Sequence, residues 1–197
     1  MTVYDISQEV FSCRCYEGDP RPERREIFSM ARGDGYNLSA FSMCAHNGTH
    51  VDAPAHFLRE GDRVEQLSLS KLIGYAYVCE HQGVLGAADA EAILAQARAI
   101  DPEAARRILI KGEVTVSLDA AEVFARESVW LVGNESQSVG PETAPAAVHR
   151  CLLGSGTVLL EGIVLSRVPT GVYLLSAAPL LLAGCEGSPC RAVLIAL

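Results

Sequence analysis

The residues best suited to chemistry are three histidines and an aspartate within eleven positions of the chain. His46, His50 and His56 lie there with Asp52, although the whole sequence holds only five histidines. His50 and Asp52 are two residues apart, so an extended chain would project both side chains to one face. Gly48 permits a tight turn that would bring His46 to the same point. Two imidazoles and a carboxylate that converge in this way are typical of a site for a first-row divalent metal.

A lone histidine in a strand is usually a structural side chain, but three of them around an aspartate indicate a metal or catalytic site. His56 follows Asp52 by four residues, so we expect it beside the metal rather than on it. The helical His-Glu-x-x-His motif of many zinc proteases does not occur. Nor does a Gly-x-Ser-x-Gly motif, so a serine hydrolase is disfavoured.

Residues 46–57 resemble the His-x-Gly-Thr-His-x-Asp-x-Pro-x-His signature of the cyclase family, and every defining position is matched. The best-known members of this family are the bacterial kynurenine formamidases, with isatin hydrolases as relatives. Residues 3–7, 16–20, 149–161 and 178–192 are similar to the family as well, so the resemblance covers most of the chain. Family members more often carry an aspartate where Glu135 stands.

The resemblance implies a swivelling β/β/α fold, which is an α/β class with a mixed sheet and flanking helices, and usually a homodimer. It also implies two divalent ions, zinc first and manganese as the other choice. By position, His46, His50 and Asp52 would bind the first ion. Asp52 would bridge to the second ion, which His149 and Glu161 would complete. Spacing alone does not connect those last two residues to the motif.

The implied activity is hydrolysis of an amide carbon–nitrogen bond, with His56 as the residue that transfers the proton. The preferred substrate is N-formylkynurenine, which would give kynurenine and formate in tryptophan catabolism. Tyr16, Phe41 and Phe57 are predicted to hold the aryl ring, and Tyr16 stands where kynurenine formamidases commonly have a tryptophan. One alternative is a cyclic amide such as isatin, and another is a non-catalytic metal-binding protein. Three protein ligands per ion would leave positions open for water and substrate, which favours an enzyme.

Hydrophobic patterning predicts the elements that must position these residues. The predicted strands are 38–46, 73–79, 107–110, 129–132, 158–164, 172–176 and 191–197. The family resemblance implies an opening strand near Val3 as well. The predicted helices are 89–98, 118–126 and 145–153. Turn residues are spaced evenly along the chain, which argues against a linker, so we expect one domain over residues 1–197.

Composition narrows the class of protein further. The chain has 197 residues, 49% of them hydrophobic, and a formal net charge of −8. An acidic surface repels phosphate backbones, so nucleic acid is an unexpected partner. We expect a cytoplasmic protein, because the first residues have neither the basic start nor the long apolar run of a secretion signal. We also expect no membrane segment, because no apolar run reaches the ~20 residues needed to cross a bilayer. The odd count of seven cysteines favours reduced thiols.

Overall fold

The apolar run from Ile73 to Cys79 forms most of a strand in the middle of a large mixed sheet. In the computed structural model, which describes residues 1–196, alternate side chains of this strand are buried on opposite faces. Tyr77 and Cys79 pack in one apolar cluster, and Ala76 and Val78 pack in another. Burial on both faces explains why the strand is a continuous apolar run rather than an alternating one.

The strands of the described chain are β1 (Thr2–Asp5), β2 (Glu23–Phe28), β3 (Leu38–Ser42), β4 (His50–Asp52), β5 (Ile73–Glu80), β6 (Gly83–Leu85), β7 (Arg107–Lys111), β8 (Val114–Val116), β9 (Leu131–Asn134), β10 (Val158–Glu161), β11 (Gly171–Ser176), β12 (Gly187–Pro189) and β13 (Val193–Ala196). The α-helices of the same residues are α1 (Leu69–Leu72), α2 (Ala87–Ile100), α3 (Leu118–Arg126) and α4 (Ala146–Gly154).

Nine of these strands, counted over residues 1–196, form one sheet in the order β1-β13-β11-β5-β7-β9-β10-β4-β12. Strands β5, β7, β9 and β10 run parallel to one another, and the remaining pairs are antiparallel. The predicted α/β class with a mixed sheet is therefore confirmed. Two short pairs, β2 with β3 and β6 with β8, lie outside the large sheet.

Helices α2, α3 and α4 cover one face of the sheet. Their buried side chains, among them Leu94, Phe124 and Leu152, join Ile108 and Ile110 of β7 in a single apolar cluster. Helix α3 begins after Ser117, whose hydroxyl accepts a hydrogen bond from the backbone N–H of Ala120. This cap satisfies an amide that would otherwise have no partner at the helix start.

The opposite face of the sheet has its own apolar cluster, which includes Val51 of β4, Leu109 of β7 and Leu160 of β10. Because Val51 points into this cluster, its neighbours His50 and Asp52 must project from the other face of β4. The core therefore fixes the direction of the two polar side chains.

The hairpin formed by β2 and β3 stands apart from both clusters. Every residue of β3 is exposed, and Phe41 exposes 61% of its surface. Phe28 packs edge-on against Tyr36 within the hairpin, with ring centroids 5.4 Å apart.

Several predicted strand ends differ from the structure for identifiable reasons. The strand predicted over 158–164 ends at Glu161, because Gly162 adopts a positive φ of 64° and turns the chain. The strand predicted over 38–46 ends at Ser42, so His46 lies in a loop. The strand predicted over 129–132 begins at Leu131. The last predicted strand, 191–197, ends at Leu197, which lies outside the described residues. Among residues 1–196, no helix combines the length and apolar character that crossing a membrane requires.

Candidate metal centre

The short strand β4 carries the first two candidate ligands. It pairs with β10 on one side and β12 on the other, both antiparallel. In this register Glu161 lies directly opposite His50. His50, Asp52 and Glu161 are each at most 2% exposed. The strand pairing thus brings two carboxylates and an imidazole together inside the protein.

His46 reaches the same point from the loop before β4. The Asn47 side chain accepts a hydrogen bond from the backbone N–H of Cys44 at 2.8 Å, which closes the turn. Gly48 follows with a φ of 63°, a conformation that suits glycine. The loop places His46 Nδ1 2.8 Å from Asp52 Oδ1.

His149 comes from the first turns of helix α4, about a hundred residues further along the chain. Its Nδ1 donates to the Pro145 carbonyl at 2.9 Å, which leaves Nε2 facing inward. That Nε2 lies 3.1 Å from Glu161 Oε1 and 3.6 Å from Asp52 Oδ2. A backbone acceptor on one ring nitrogen fixes the tautomer that a metal ligand needs on the other.

Asp52 presents its two oxygens to different imidazoles. Its Oδ1 lies 2.8 Å from His46 Nδ1 and 3.4 Å from His50 Nε2. Its Oδ2 lies 3.6 Å from His149 Nε2 and 3.9 Å from His56 Nε2. A carboxylate in this position can bridge two neighbouring cations.

These residues fit divalent metal ions. Within residues 1–196, His50 Nε2 and Asp52 Oδ2 are buried polar atoms without a hydrogen-bond partner, which is costly unless a ligand satisfies them. The described residues also contain two groups whose ligand atoms all lie within 4.8 Å of one another and which share Asp52. The groups are His46, His50 and Asp52, and Asp52, His149 and Glu161. Imidazole and carboxylate ligands of this kind suit zinc and other first-row metals.

The protonation of the cluster agrees with that fit. Burial opposes a charge on His50, but the carboxylates of Asp52 and Glu161, each 3.4 Å from its Nε2, outweigh burial and raise its pKa to about 10. Burial alone would raise the pKa of Asp52, yet the adjacent imidazoles of His46 and His50 hold it well below its usual range. The carboxylates thus draw positive charge to the imidazoles, and a divalent cation would take the place of those protons.

His56 lies beside the cluster rather than within either ligand group. Its ring stacks on that of His46, with centroids 4.0 Å apart and an interplanar angle of 26°. Its side chain is 29% exposed, in contrast to the buried rings of His50 and His149. Burial, together with the nearby charges of His46 and His149, lowers the pKa of His56. His56 is therefore a largely neutral imidazole with access to the cavity.

A cavity of about 250 Å³ opens above the ligand cluster. Two of the three predicted aromatic residues line it, Tyr16 and Phe57. The Tyr16 hydroxyl donates to the Glu142 carbonyl, which holds the phenol in place. Phe41 is a correction to the sequence analysis, because the exposed hairpin carries it away from this cavity. It packs edge-on against Phe11 and lines a second, larger cavity of about 750 Å³.

The cavity also has polar walls that sequence reasoning did not assign to the site. Asp19, Gln137 and Ser138 line it. Gln137 and Ser138 follow Glu135, which instead anchors loops by accepting backbone hydrogen bonds from Gly112 and Leu165, at 2.8 and 2.7 Å. The exchange of aspartate for glutamate at position 135 thus concerns loop anchoring rather than the ligand cluster.

Glu186 is a further residue near the ligand cluster that the sequence did not predict. Its Oε1 lies 3.3 Å from His46 Nε2, although the two residues are 140 positions apart. The only signal in the sequence was that residue 186 lies within the closing segment that resembles the family.

The fold and the clustered ligands define a metal-binding α/β protein, and comparisons with known proteins agree. The sequence model of the family described as "Putative cyclase" matches residues 4–141. A kynurenine formamidase of Salinibacter ruber is 36% identical over 98% of this chain and 97% of its own. This chain belongs to the cyclase family.

Solved structures share the fold. One described as a potential metal-dependent hydrolase with cyclase activity has a TM-score of 0.81 and 25% identity, covering 98% of this chain and 96% of the other. Isatin hydrolase A from Labrenzia aggregata has a TM-score of 0.80 and 19% identity, and the match covers 98% of this chain and 93% of the hydrolase chain. At that identity the second comparison supports the fold alone.

Proposed function

We propose that this chain is a metal-dependent amide hydrolase of the arylformamidase type, which converts N-formylkynurenine to kynurenine and formate. One observation carries the proposal: the buried carboxylate of Asp52 presents Oδ1 to His46 and Oδ2 to His149 below an open cavity. The full-length similarity to a kynurenine formamidase supports an aryl formamide as the substrate.

We propose that His46, His50 and Asp52 hold one divalent ion. Asp52 is shared with a second ion that His149 and Glu161 complete. The ligand types favour Zn²⁺, with Mn²⁺ as the alternative. When bound, such ions polarise a carbonyl oxygen and lower the pKa of water.

His56 is proposed to move the proton. Its Nε2 takes a proton from the attacking water as the water oxygen bonds to the formyl carbon. It then returns that proton to the aryl nitrogen as the carbon–nitrogen bond breaks, so that the products are the free amine and formate. Its partial exposure and lowered pKa support this role, because a neutral imidazole can accept a proton near neutral pH.

The cavity walls support an aromatic substrate with an amine. Phe57 and Tyr16 offer ring surfaces beside the ligand cluster. The side chain of Asp19 adds a carboxylate, and within residues 1–196 no lysine or arginine lines this cavity. We propose that this carboxylate accepts a hydrogen bond from the ammonium group of the substrate.

A substrate panel tests the proposal. The purified chain, loaded with Zn²⁺ or Mn²⁺, should hydrolyse N-formylkynurenine and formanilide, with formate release measured directly. An enzyme that ignores both but opens isatin would replace the substrate with a cyclic amide and keep the site. A metal-loaded protein that hydrolyses no amide in the panel would support the non-catalytic alternative and contradict the proposal.

We also propose a homodimer. The hairpin of β2 and β3 is a two-stranded unit, which is marginally stable by itself. It exposes Phe41, which lies with the exposed side chains of Phe11 and Leu180 around the larger cavity. A group of neighbouring exposed apolar residues of this kind is typical of an interface. Light scattering should give twice the mass of the chain, and a monomer at micromolar concentration would contradict this.

A further inference from the structure

We propose that Glu186 and Gly187 are positioning residues for His46. Glu186 accepts a hydrogen bond from His46 Nε2 and so reserves Nδ1 for the metal, while Gly187, without a side chain, leaves the space that the ring occupies. This inference rests on the proposed metal site, because it concerns how one of its ligands is held.

The other two histidine ligands show what His46 needs. His50 Nδ1 donates to the Gly48 carbonyl at 2.9 Å, and His149 Nδ1 donates to the Pro145 carbonyl at 2.9 Å. In each ring one nitrogen is tied to an acceptor and the other faces the carboxylates. Such outer partners fix the tautomer and orientation of metal-binding histidines.

His46 has the same arrangement with its nitrogens exchanged. Its Nδ1 faces Asp52 Oδ1 at 2.8 Å, and its Nε2 lies 3.3 Å from Glu186 Oε1. The acceptor here is a charged side chain from a distant segment rather than a nearby carbonyl. A carboxylate is a stronger acceptor than a carbonyl oxygen. It therefore suits a ligand that comes from a loop and has less support from its own backbone.

The backbone holds Glu186 where this contact requires it. The Glu186 carbonyl accepts a hydrogen bond from the backbone N–H of Ala53 at 2.8 Å. The next residue, Gly187, lies directly opposite Asp52 in the pairing of β12 with β4. The acceptor for His46 is thus anchored beside the carboxylate that shares the same ring.

Gly187 is needed for a steric reason. A Cβ atom at this position would lie 2.4 Å from Cε1 of the His46 ring and 2.9 Å from its Nε2. Contacts this close do not occur, so any larger residue would displace the ring. His56 also stacks on this ring, with centroids 4.0 Å apart, so displacement would reach the proposed proton carrier as well.

Metal binding tests the inference without any activity assay. We would titrate the metal-free chain with Co²⁺ in competition with a chelator and record the visible absorption of the bound ion. Glu186→Ala should weaken the first site by about 10–100-fold, the usual effect of losing an outer partner. Glu186→Gln should recover much of this loss, because its amide oxygen still accepts from Nε2. The control is Glu60→Ala, since that side chain is 92% exposed and its ion pair is with Arg59.

Nitrogen NMR of labelled histidine gives the second measurement. In the Zn²⁺-loaded protein, His46 should bind through Nδ1 and keep its proton on Nε2. Glu186→Ala should broaden or shift these signals, whereas the signals of His149 should stay in place. Gly187→Ala should lose the first site, and a melting curve shows whether it still folds.

The outcomes separate the inference from the proposed function. Wild-type Co²⁺ affinity in Glu186→Ala, or binding of His46 through Nε2, would overturn the positioning role alone. A wild-type chain that binds no Co²⁺ at all would instead overturn the metal site on which the proposed function depends. If Gly187→Ala fails to fold, the two Glu186 variants still decide the matter.

Discussion

His50 and Glu161 lie directly opposite each other on the antiparallel strands β4 and β10, with His50 Nε2 3.4 Å from Glu161 Oε2. They belong to different candidate ligand groups, which Asp52 joins. One pair of strands therefore supports both groups, so a change at a shared residue should affect both.

Asp52→Ala should remove metal from both proposed sites while the fold survives. Asp52 is the residue that the two ligand groups share, and the apolar clusters do not include it. Metal affinity should fall by more than about 100-fold, since losing an outer partner alone costs about 10–100-fold. Elemental analysis after dialysis measures the loss, and circular dichroism reports the fold. Undiminished metal in this variant would contradict the assignment.

His56→Ala should keep its metal and lose turnover. Because His56 stands outside both ligand groups, its removal should spare the ions. The rate should drop by about 10²–10⁴-fold, which is the scale of general acid–base catalysis. Steady-state kinetics and metal content are measured on the same preparation. If the metal disappears together with the activity, His56 is a ligand and its proposed role is wrong.

Tyr16→Ala should raise KM for N-formylkynurenine and leave the metal content unchanged, because the ring lines the cavity without belonging to a ligand group. Tyr16→Phe keeps the ring and loses only the hydrogen bond to the Glu142 carbonyl, so its KM should lie closer to that of wild type.

Phe41→Ala tests the third aromatic residue that the sequence predicts for the substrate. Phe41 lies outside the metal cavity of its own chain, so its removal should leave KM unchanged. A larger rise in KM for Phe41→Ala than for Tyr16→Ala would contradict the placement of Tyr16, rather than Phe41, beside the substrate.

The ion pair between Asp5 and Arg191 should make stability depend on pH. Arg191 Nε donates to Asp5 Oδ2 at 2.9 Å, and this hydrogen bond lowers the pKa of Asp5. Because the folded pKa lies below the unfolded value of about 3.9, the contribution is present above that pH and is lost as pH falls through the folded pKa.

Asp5→Asn should therefore lower the free energy of unfolding at pH 7 and have no effect well below pH 4. The pair is largely exposed, so the loss should be small, within the range of less than about 1 kcal/mol that surface ion pairs contribute. Urea denaturation of both proteins at the two pH values measures the difference. A difference that grows as the pH falls would contradict this sign.

Local spacing predicts much of the candidate ligand cluster. The i, i+2 relation of His50 and Asp52 holds in any strand, and Gly48 marked the turn that returns His46. Helix α3 was also predicted with its observed ends, because its apolar period and the Ser117 cap are local features. Strand ends are not set by local patterning, since a turn such as the one at Gly162 depends on what packs around it.

The sequence by itself determined the class of fold and the local half of the candidate site, because periodicity, caps and spacing act over a few residues. The family resemblance, rather than spacing, pointed to His149 and Glu161. Only the tertiary structure decided how they meet Asp52, since this depends on the register of β10 and the packing of α4. It also decided that Phe41 leaves the cavity on the hairpin and that Glu186 reaches His46. Contacts over 140 residues depend on the order of strands in the sheet, and no local pattern encodes that order.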